Sequence, residues 1–333
     1  MRYLVLARPS LIVSHIVEEL NSIGHETRLI ILNDFSVNCS RFELRLYKWG
    51  FKSIKKKYEQ KFFEDLKVIC EEFKPENVLL LCGMDIPKIV RKYIAQFEVT
   101  YWIWDSVKRF PELEELLTFT NKIFCFEYDD VEYLSKKYNI PTKYLPLGAD
   151  DKVYYPIEKQ RDLDIVFVGT PYKNRTYILE KVCEEGQKRG WKIKIGGPWY
   201  KETVWKKYRF HRKSPYLSKC IENRHFKETE VAELYRRSKI CLNINEVQHK
   251  SLNPRTFEIC ATKSFQIMNT GQDSRGWLKF QRDIVIYDNE KDLIEKIEYY
   301  LTHEEERKRI AQSGYEAVMS KCTLKKLIAD NFS

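Results

Sequence analysis

Residues 252–269 read LNPRTFEICATKSFQIMN and follow the apolar segment KICLNINEV (239–247) and the polar run QHKS (248–251). Asn253 is a residue type that caps a helix, and Pro254 has the fixed φ that starts one. Phe257, Cys260 and Ala261 give this helix a side to bury, while Arg255, Glu258 and Thr262 share another side at i, i+3 and i+7. An apolar strand on each side of a short helix is the βαβ unit of a parallel sheet. Glu258, one turn into the helix, admits two roles. It forms a surface pair with Arg255, or it accepts both hydroxyls of a ribose while the helix start offers N–H groups to a diphosphate.

The same alternation extends outward from this stretch. RYLVLA (2–7), ETRLIIL (26–32), NVLLLCG (77–83), VTYWIW (99–104) and NKIFCF (121–126) are apolar runs separated by segments of helical periodicity, such as 11–24 and 61–74. The segment 139–162 breaks the rhythm with three prolines and a glycine, marking a domain boundary. Beyond it, strands are expected at 164–169, 191–197, 239–245 and 283–288, and the chain ends in helices over 290–301, 303–319 and 323–330. Two α/β domains with parallel sheets follow, with ligands expected outside the carboxyl ends of the strands.

Bulk composition narrows the function classes. The chain has 333 residues, 43% hydrophobic and 32% charged, which excludes a disordered protein and suits two domains. No apolar run reaches the roughly 20 residues of a membrane span, and MRYLVLARPS passes from strand to polar loop, so a cytosolic chain without a cleaved signal is expected. The nine cysteines form no CxxC pair or Cys/His cluster, so reduced thiols are expected.

The formal charge of +10 is local: residues 41–61 hold eight Lys/Arg against two Glu, and residues 201–227 hold nine against two. Both windows interleave cations with aromatics, a composition that suits an anionic membrane surface, single-stranded nucleic acid or another polyanion, and equally a solvated face.

Further candidate positions come from turns at strand ends. In GTPYKNR (169–175), Gly169 and Thr170 allow backbone N–H groups to approach a phosphate that Lys173 or Arg175 neutralises. In GGPWY (196–200), Gly197 permits close approach of a flat ligand, and Trp199 either stacks on a base or packs inward. Asp105, after the strand in YWIWDSV, is placed to act as a general base or to cap the next turn, and His15 competes with it for the first role.

KICLNINEVQHKSLNPRTFEICATKSFQIMN resembles the nucleotide-binding core of group 1 glycosyltransferases, most closely the CgeB-like spore-maturation branch. DIVFVGTPYKNR (164–175) resembles the start of the same domain, TKYLPLGADDKVYYP (142–156) the interdomain linker, and SHIVEELNSIGHETRLI (14–30) the first helix and second strand. The resemblance implies a GT-B fold: two Rossmann-like domains facing across a cleft, an acceptor-binding one at 1–150 and a nucleotide-sugar-binding one at 151–315. A C-terminal helix, 316–333, would cross back to the first.

By position, the resemblance makes Glu258 the ribose carboxylate and puts Arg255, with the turn Gly169–Arg175, where diphosphate contacts occur; Asn253 opens the same helix. Group 1 enzymes carry a further Glu eight residues earlier, where this chain has Lys250, with Glu246 nearby. The glycine usual after the helix is also replaced, by ATKSF (261–265).

The expectation is a metal-independent hexosyltransferase of the cytoplasm or the inner membrane face, serving polysaccharide synthesis. It would need no cofactor beyond a nucleotide-sugar co-substrate, UDP-linked, and would glycosylate a glycan or glycolipid acceptor. Two alternatives stay open: a glycosyltransferase acting on DNA or another polyanion, and a sugar-nucleotide binder without turnover.

Overall fold

The computed structural model describes residues 1–32, 40–81, 86–245, 250–271 and 273–333, with the backbone alone at Lys173. The chain divides into two compact units, Met1–Pro146 with Ile328–Ser333, and Leu147–Leu327.

The first unit holds six strands, β1 Arg2–Ala7, β2 Glu26–Ile31, β3 Asn77–Leu81, β4 Glu98–Ile103, β5 Lys122–Cys125 and β6 Thr142–Tyr144. They order as β2-β1-β3-β4-β5-β6, every pair parallel. The apolar runs are continuous because helices cover both faces: Leu79 to Leu81, Tyr101 and Trp102 are wholly buried. The helical segment expected at 61–74 is the second half of a longer helix, Ser53–Phe73. The run KKKYEQ consists mainly of good helix formers, and Lys55 pairs with Glu59 one turn on, so the basic stretch continues the helix instead of breaking it.

The second unit repeats the plan with β7 Leu163–Val168, β8 Ile193–Gly196, β9 Ile221–Glu222, β10 Ser238–Asn243, β11 Gln266–Asn269 and β12 Val285–Tyr287. Their order is β12-β11-β10-β7-β8-β9, again all parallel. Successive strands run outward from β7 in one direction to β9, then restart beside β7 at β10 and run in the other. That reversal creates a crevice at the carboxyl ends of β7 and β10, where flanking helices lie on opposite faces.

Two helices end the chain, Glu304–Lys321 and Leu324–Phe332. Between them Cys322 and Leu324 pair with Ala149, the Ala149 N–H donating to Cys322 O at 2.9 Å and the Leu324 N–H to Ala149 O at 2.7 Å. Gly148 is in the left-handed region at φ +64°, and a side chain there would strike the Cys322 carbonyl, so this tie requires glycine. Ile328–Ser333 groups with the first unit, so the returning segment is shorter than the 316–333 expected.

Phe332 is the anchor of that return. Its ring lies 5.3 Å from Phe124 and 6.3 Å from both Tyr3 and Trp102, and its carbonyl meets His25 Nε2 at 2.5 Å. Replacing this buried aromatic by alanine leaves a cavity. Phe332→Ala should therefore lower unfolding free energy by about 3 kcal/mol, read as a reduced midpoint in urea titration of the full chain.

Candidate functional site

The switch point of the second sheet is built by side chains from several segments. The ladder between β7 and β10 ends at Cys241 and Val166, so the residues beyond need other ties. Arg175, on the helix Lys173–Arg189, supplies them. Its Nε and Nη2 donate to Ile244 O at 3.1 and 2.6 Å, and its Nη1 donates to Thr170 O at 2.5 Å. The guanidinium also lies over the rings of Phe167 and Tyr172. It is buried and committed to backbone carbonyls, which makes it a brace for the crevice instead of the phosphate contact expected from its place in GTPYKNR.

The start of the helix Pro254–Ala261 sits at the same crevice. Asn253 caps it, its Oδ1 accepting from the Thr256 N–H at 3.0 Å. Wholly buried Asn243, from the end of β10, donates through Nδ2 to Thr256 Oγ1 at 2.9 Å, and to Asn253 Oδ1 and Gln266 Oε1 at 3.2 Å each. Gln266 in turn donates to Thr256 O at 2.9 Å. A polar network thus locks the helix start onto β10 and β11, and the capping expectation for Asn253 is met.

Arg255 projects from the first turn toward the other lip. A Cβ on Gly169 would sit 3.0 Å from its Nη2, so the guanidinium rests directly over that glycine, above the Phe167 ring at 5.3 Å. It also meets the Tyr235 hydroxyl and lies 3.4 Å from Asn243 Oδ1. Gly197 is in a left-handed conformation, φ +138°, because a side chain there would collide with the Gly169 carbonyl. The two glycine turns therefore pack against each other and leave Arg255 as the cation facing the crevice from the helix side.

Glu258 is half-buried beside Arg255. Burial pushes its pKa up to about 7; Arg255 opposes this, the charges of Glu228 and Asp150 reinforce it, and a hydrogen bond from the Tyr154 hydroxyl favours the carboxylate. Tyr154 stacks on Tyr235, ring centroids 6.3 Å apart, and burial with the Glu258 charge drives its own pKa upward. Asp150, Tyr154, Glu228 and Tyr235 were not singled out in the sequence; only the linker and the helix Glu228–Arg237 folding against the switch point bring them to Glu258.

Other candidates are placed differently. Lys250 is exposed, its carbonyl accepting from the Asp273 N–H at 2.7 Å. The Thr170 side chain is exposed. Trp199 is 4% exposed and lies edge-on to Phe167 at 6.2 Å, its backbone N–H held by Asn223 Oδ1 at 2.7 Å. It is a core residue, which removes the base-stacking role. The Lys173 side chain and Glu246 lie outside the described residues.

In the first unit, Asp105 follows β4 half-exposed, accepting from the Ser106 N–H at 2.9 Å and lying 3.8 Å from Arg109. His15 is half-buried on the helix Leu11–Ser22. A carboxylate the sequence did not flag lies nearby in the chain's fold: Asp130, at the start of the helix Tyr128–Tyr138, is 1% exposed. Its Oδ2 accepts from the Val107 N–H at 2.9 Å, and its Oδ1 has no partner. Burial raises its pKa, offset by hydrogen bonds from Val107 and Ser106. Among the described residues no group of three His, Cys, Asp or Glu forms a metal cluster, the seven described cysteines are free, and no helix is long and apolar enough to cross a membrane.

The doubly wound repeat, with its crevice at a helix start, matches known structures along nearly its whole length. Sucrose-phosphate synthase from Thermosynechococcus elongatus superposes with a TM-score of 0.68 at 11% identity, covering 99% of this chain and 97% of that one. The fold is GT-B. A second GT-B neighbour, the Anabaena protein Alr3699/HepE in complex with UDP and glucose, has a TM-score of 0.68 at 10% identity and covers 100% of this chain and 99% of its own. Residues 175–331 match the family model described as glycosyl transferase-like. The spore protein CgeB of Bacillus subtilis is 21% identical over 277 residues, 78% of this chain and 82% of that protein.

The raised pKa of Glu258 has a sign that stability measurements can check. The folded state holds its proton more tightly than the unfolded chain. The stability this supplies is complete below the unfolded value, near pH 4.5, and is lost as pH rises through about 7. Glu258→Gln should therefore melt higher than wild type at about pH 8, with the gain vanishing near pH 5, in paired thermal scans. Arg175→Met should lower stability by about 3 kcal/mol at either pH, because the Ile244 and Thr170 carbonyls lose their shared donor.

Proposed function

We propose that this protein is a glycosyltransferase that moves a sugar from a UDP-linked donor, held at the crevice of the second unit, to a hydroxyl of a glycan or glycolipid acceptor. The observation that carries the reading is the convergence of Glu258, Arg255 and the Gly169 turn on one helix start at a topological switch point. A nucleoside diphosphate needs these features: an acceptor pair for the ribose hydroxyls, a cation at the diphosphate and a backbone turn close enough for phosphate to approach. The HepE structure carries UDP and glucose on the same fold, which supports the choice of donor.

In this reading the Glu258 carboxylate accepts both ribose hydroxyls in its ionised form, with Tyr154 steadying it. Arg255 and Lys250 neutralise the diphosphate as the glycosidic bond to the donor breaks and negative charge develops on the leaving oxygen. These cations take the place of a divalent metal, and no resident cofactor is assigned. Asp105 would remove the proton from the acceptor hydroxyl in an inverting reaction. The acceptor lies with the first unit.

Isothermal calorimetry with UDP and UDP-glucose tests the reading. Because Glu258 titrates at about 7, wild-type affinity should strengthen as pH rises from about 6 to about 8. Glu258→Gln should bind at least about tenfold more weakly at the higher pH and lose the pH dependence. Equal UDP affinity in the variant removes Glu258 from the site. Tight binding of UDP-sugar that is never released as UDP, with any glycan acceptor, would favour a binder without turnover.

A further inference from the structure

The helix Val204–Lys213, VWKKYRFHRK, lies outside the crevice machinery, and its burial pattern is unusual for a surface helix. Val204 is 81% exposed, Trp205 82% and Tyr208 60%. The segment is nonetheless held firmly at both ends. Before it, Asn223 Oδ1 accepts from the N–H groups of Trp199 and Tyr200 at 2.7 and 3.1 Å. After it, the Glu180 carboxylate accepts from the N–H groups of Tyr216 and Leu217 at 3.1 and 2.8 Å. One side of the helix packs down, with Phe210 and His211 5.0 and 5.6 Å from the Tyr200 ring. The other side presents two ridges, Val204, Tyr208, Arg212 and Trp205, Arg209, Lys213, each apolar or aromatic at its start and cationic at its end.

Charge sets this helix apart from the rest of the unit. Many cations elsewhere in the unit pair with a carboxylate: Lys181 with Glu184, Lys188 with Glu185, Lys194 with Glu222, Arg237 with Asp162, Lys296 with Asp292. No Asp or Glu occurs between Glu202 and Glu222. Among the described residues no carboxylate stands within ion-pair distance of Lys206, Lys207, Arg209, Arg212 or Lys213. Five unpaired cations around an exposed Val-Trp-Tyr cluster are complementary to a surface that is anionic outside and apolar just beneath.

We infer that the outer face of Val204–Lys213 docks on an anionic phospholipid bilayer, with Val204, Trp205 and Tyr208 entering the headgroup layer and Arg209, Arg212 and Lys213 of the same two ridges meeting lipid phosphates. Trp and Tyr rings favour that depth. Val204 has no face to stack on a base, and along each outer ridge the apolar or aromatic residues come before the cations instead of alternating with them, which favours lipid over nucleic acid. A membrane docked here would hold the second unit at the lipid surface, where a glycolipid acceptor resides. The inference itself does not depend on turnover.

The test uses the full chain and sedimentation with vesicles of zwitterionic phospholipid, alone or with about one-third anionic phospholipid. Wild type should bind the anionic vesicles and release as salt is raised. Trp205→Ala with Tyr208→Ala, and separately Arg209→Glu with Arg212→Glu, should each weaken binding at least about tenfold. Because these side chains are exposed, melting temperature and UDP binding should be unchanged, so a loss of docking is separable from failure of the donor site or the fold. Vesicle binding that both variants retain overturns the inference. So does wild-type binding to single-stranded DNA or RNA that exceeds vesicle binding and is lost in the same variants, since that assigns the face to nucleic acid.

Discussion

One guanidinium holds the two lips of the crevice in the second unit in place. The β7 and β10 ladder stops at Val166 and Cys241, and beyond that point the two chains diverge toward helices on opposite faces. Arg175 spans the divergence by donating to Ile244 O on one lip and Thr170 O on the other, while Phe167 and Tyr172 cover its faces. A buried cation costs several kcal/mol in desolvation unless its donors are met. Here they are met by carbonyls that would themselves be orphaned at strand ends, so cation and carbonyls satisfy each other. Everything facing the crevice, from the Gly169 turn to the capped start of Pro254–Ala261, takes its position from this brace and from the Asn243 network beneath it.

Above that rigid floor the electrostatics are poised. Glu258 is surrounded by groups that disfavour its charge, Asp150, Glu228 and its own burial, and by two that favour it, Arg255 and the Tyr154 hydroxyl. A ligand bringing two hydroxyl donors would shift that balance toward the carboxylate, and a diphosphate would engage the arginine that otherwise serves as its counter-charge. The polar floor is tied together by the hydrogen bonds of Asn243, Asn253, Thr256 and Gln266, while the polar rim is more sparsely bonded. That division is what a preorganised binding site requires: the supporting residues do not rearrange, and the facing residues gain partners on binding.

Much of this was legible in the sequence because the relevant rules are local. Continuous apolar runs of four to seven residues mark strands covered on both faces, and Asn253-Pro254 specifies a helix start whatever lies around it. The Glu258 and Arg255 spacing then follows from helical geometry. Local rules also misled in identifiable places. Arg175 and Trp199 sit in glycine-flanked turns that look like ligand loops, yet Arg175 is taken up by a carbonyl 69 residues away and Trp199 is drawn under Asn223, 24 residues on. Asp130 drew no notice because an acidic residue in the first turn of a helix is ordinary; only its burial with one oxygen unpartnered distinguishes it.

The sequence by itself determined the alternation of strands and helices, the break near residue 150, the capped helix at 253 and the two cationic windows, since all of these depend on residues a few positions apart. The tertiary structure decided which charged groups are braces and which face the crevice, and it supplied the neighbours, Tyr154, Asp150 and Tyr235, that set the chemistry of Glu258. The physical reason is desolvation: whether a polar group is free to bind depends on what covers it and what already hydrogen-bonds it, and both come from segments far apart in the chain.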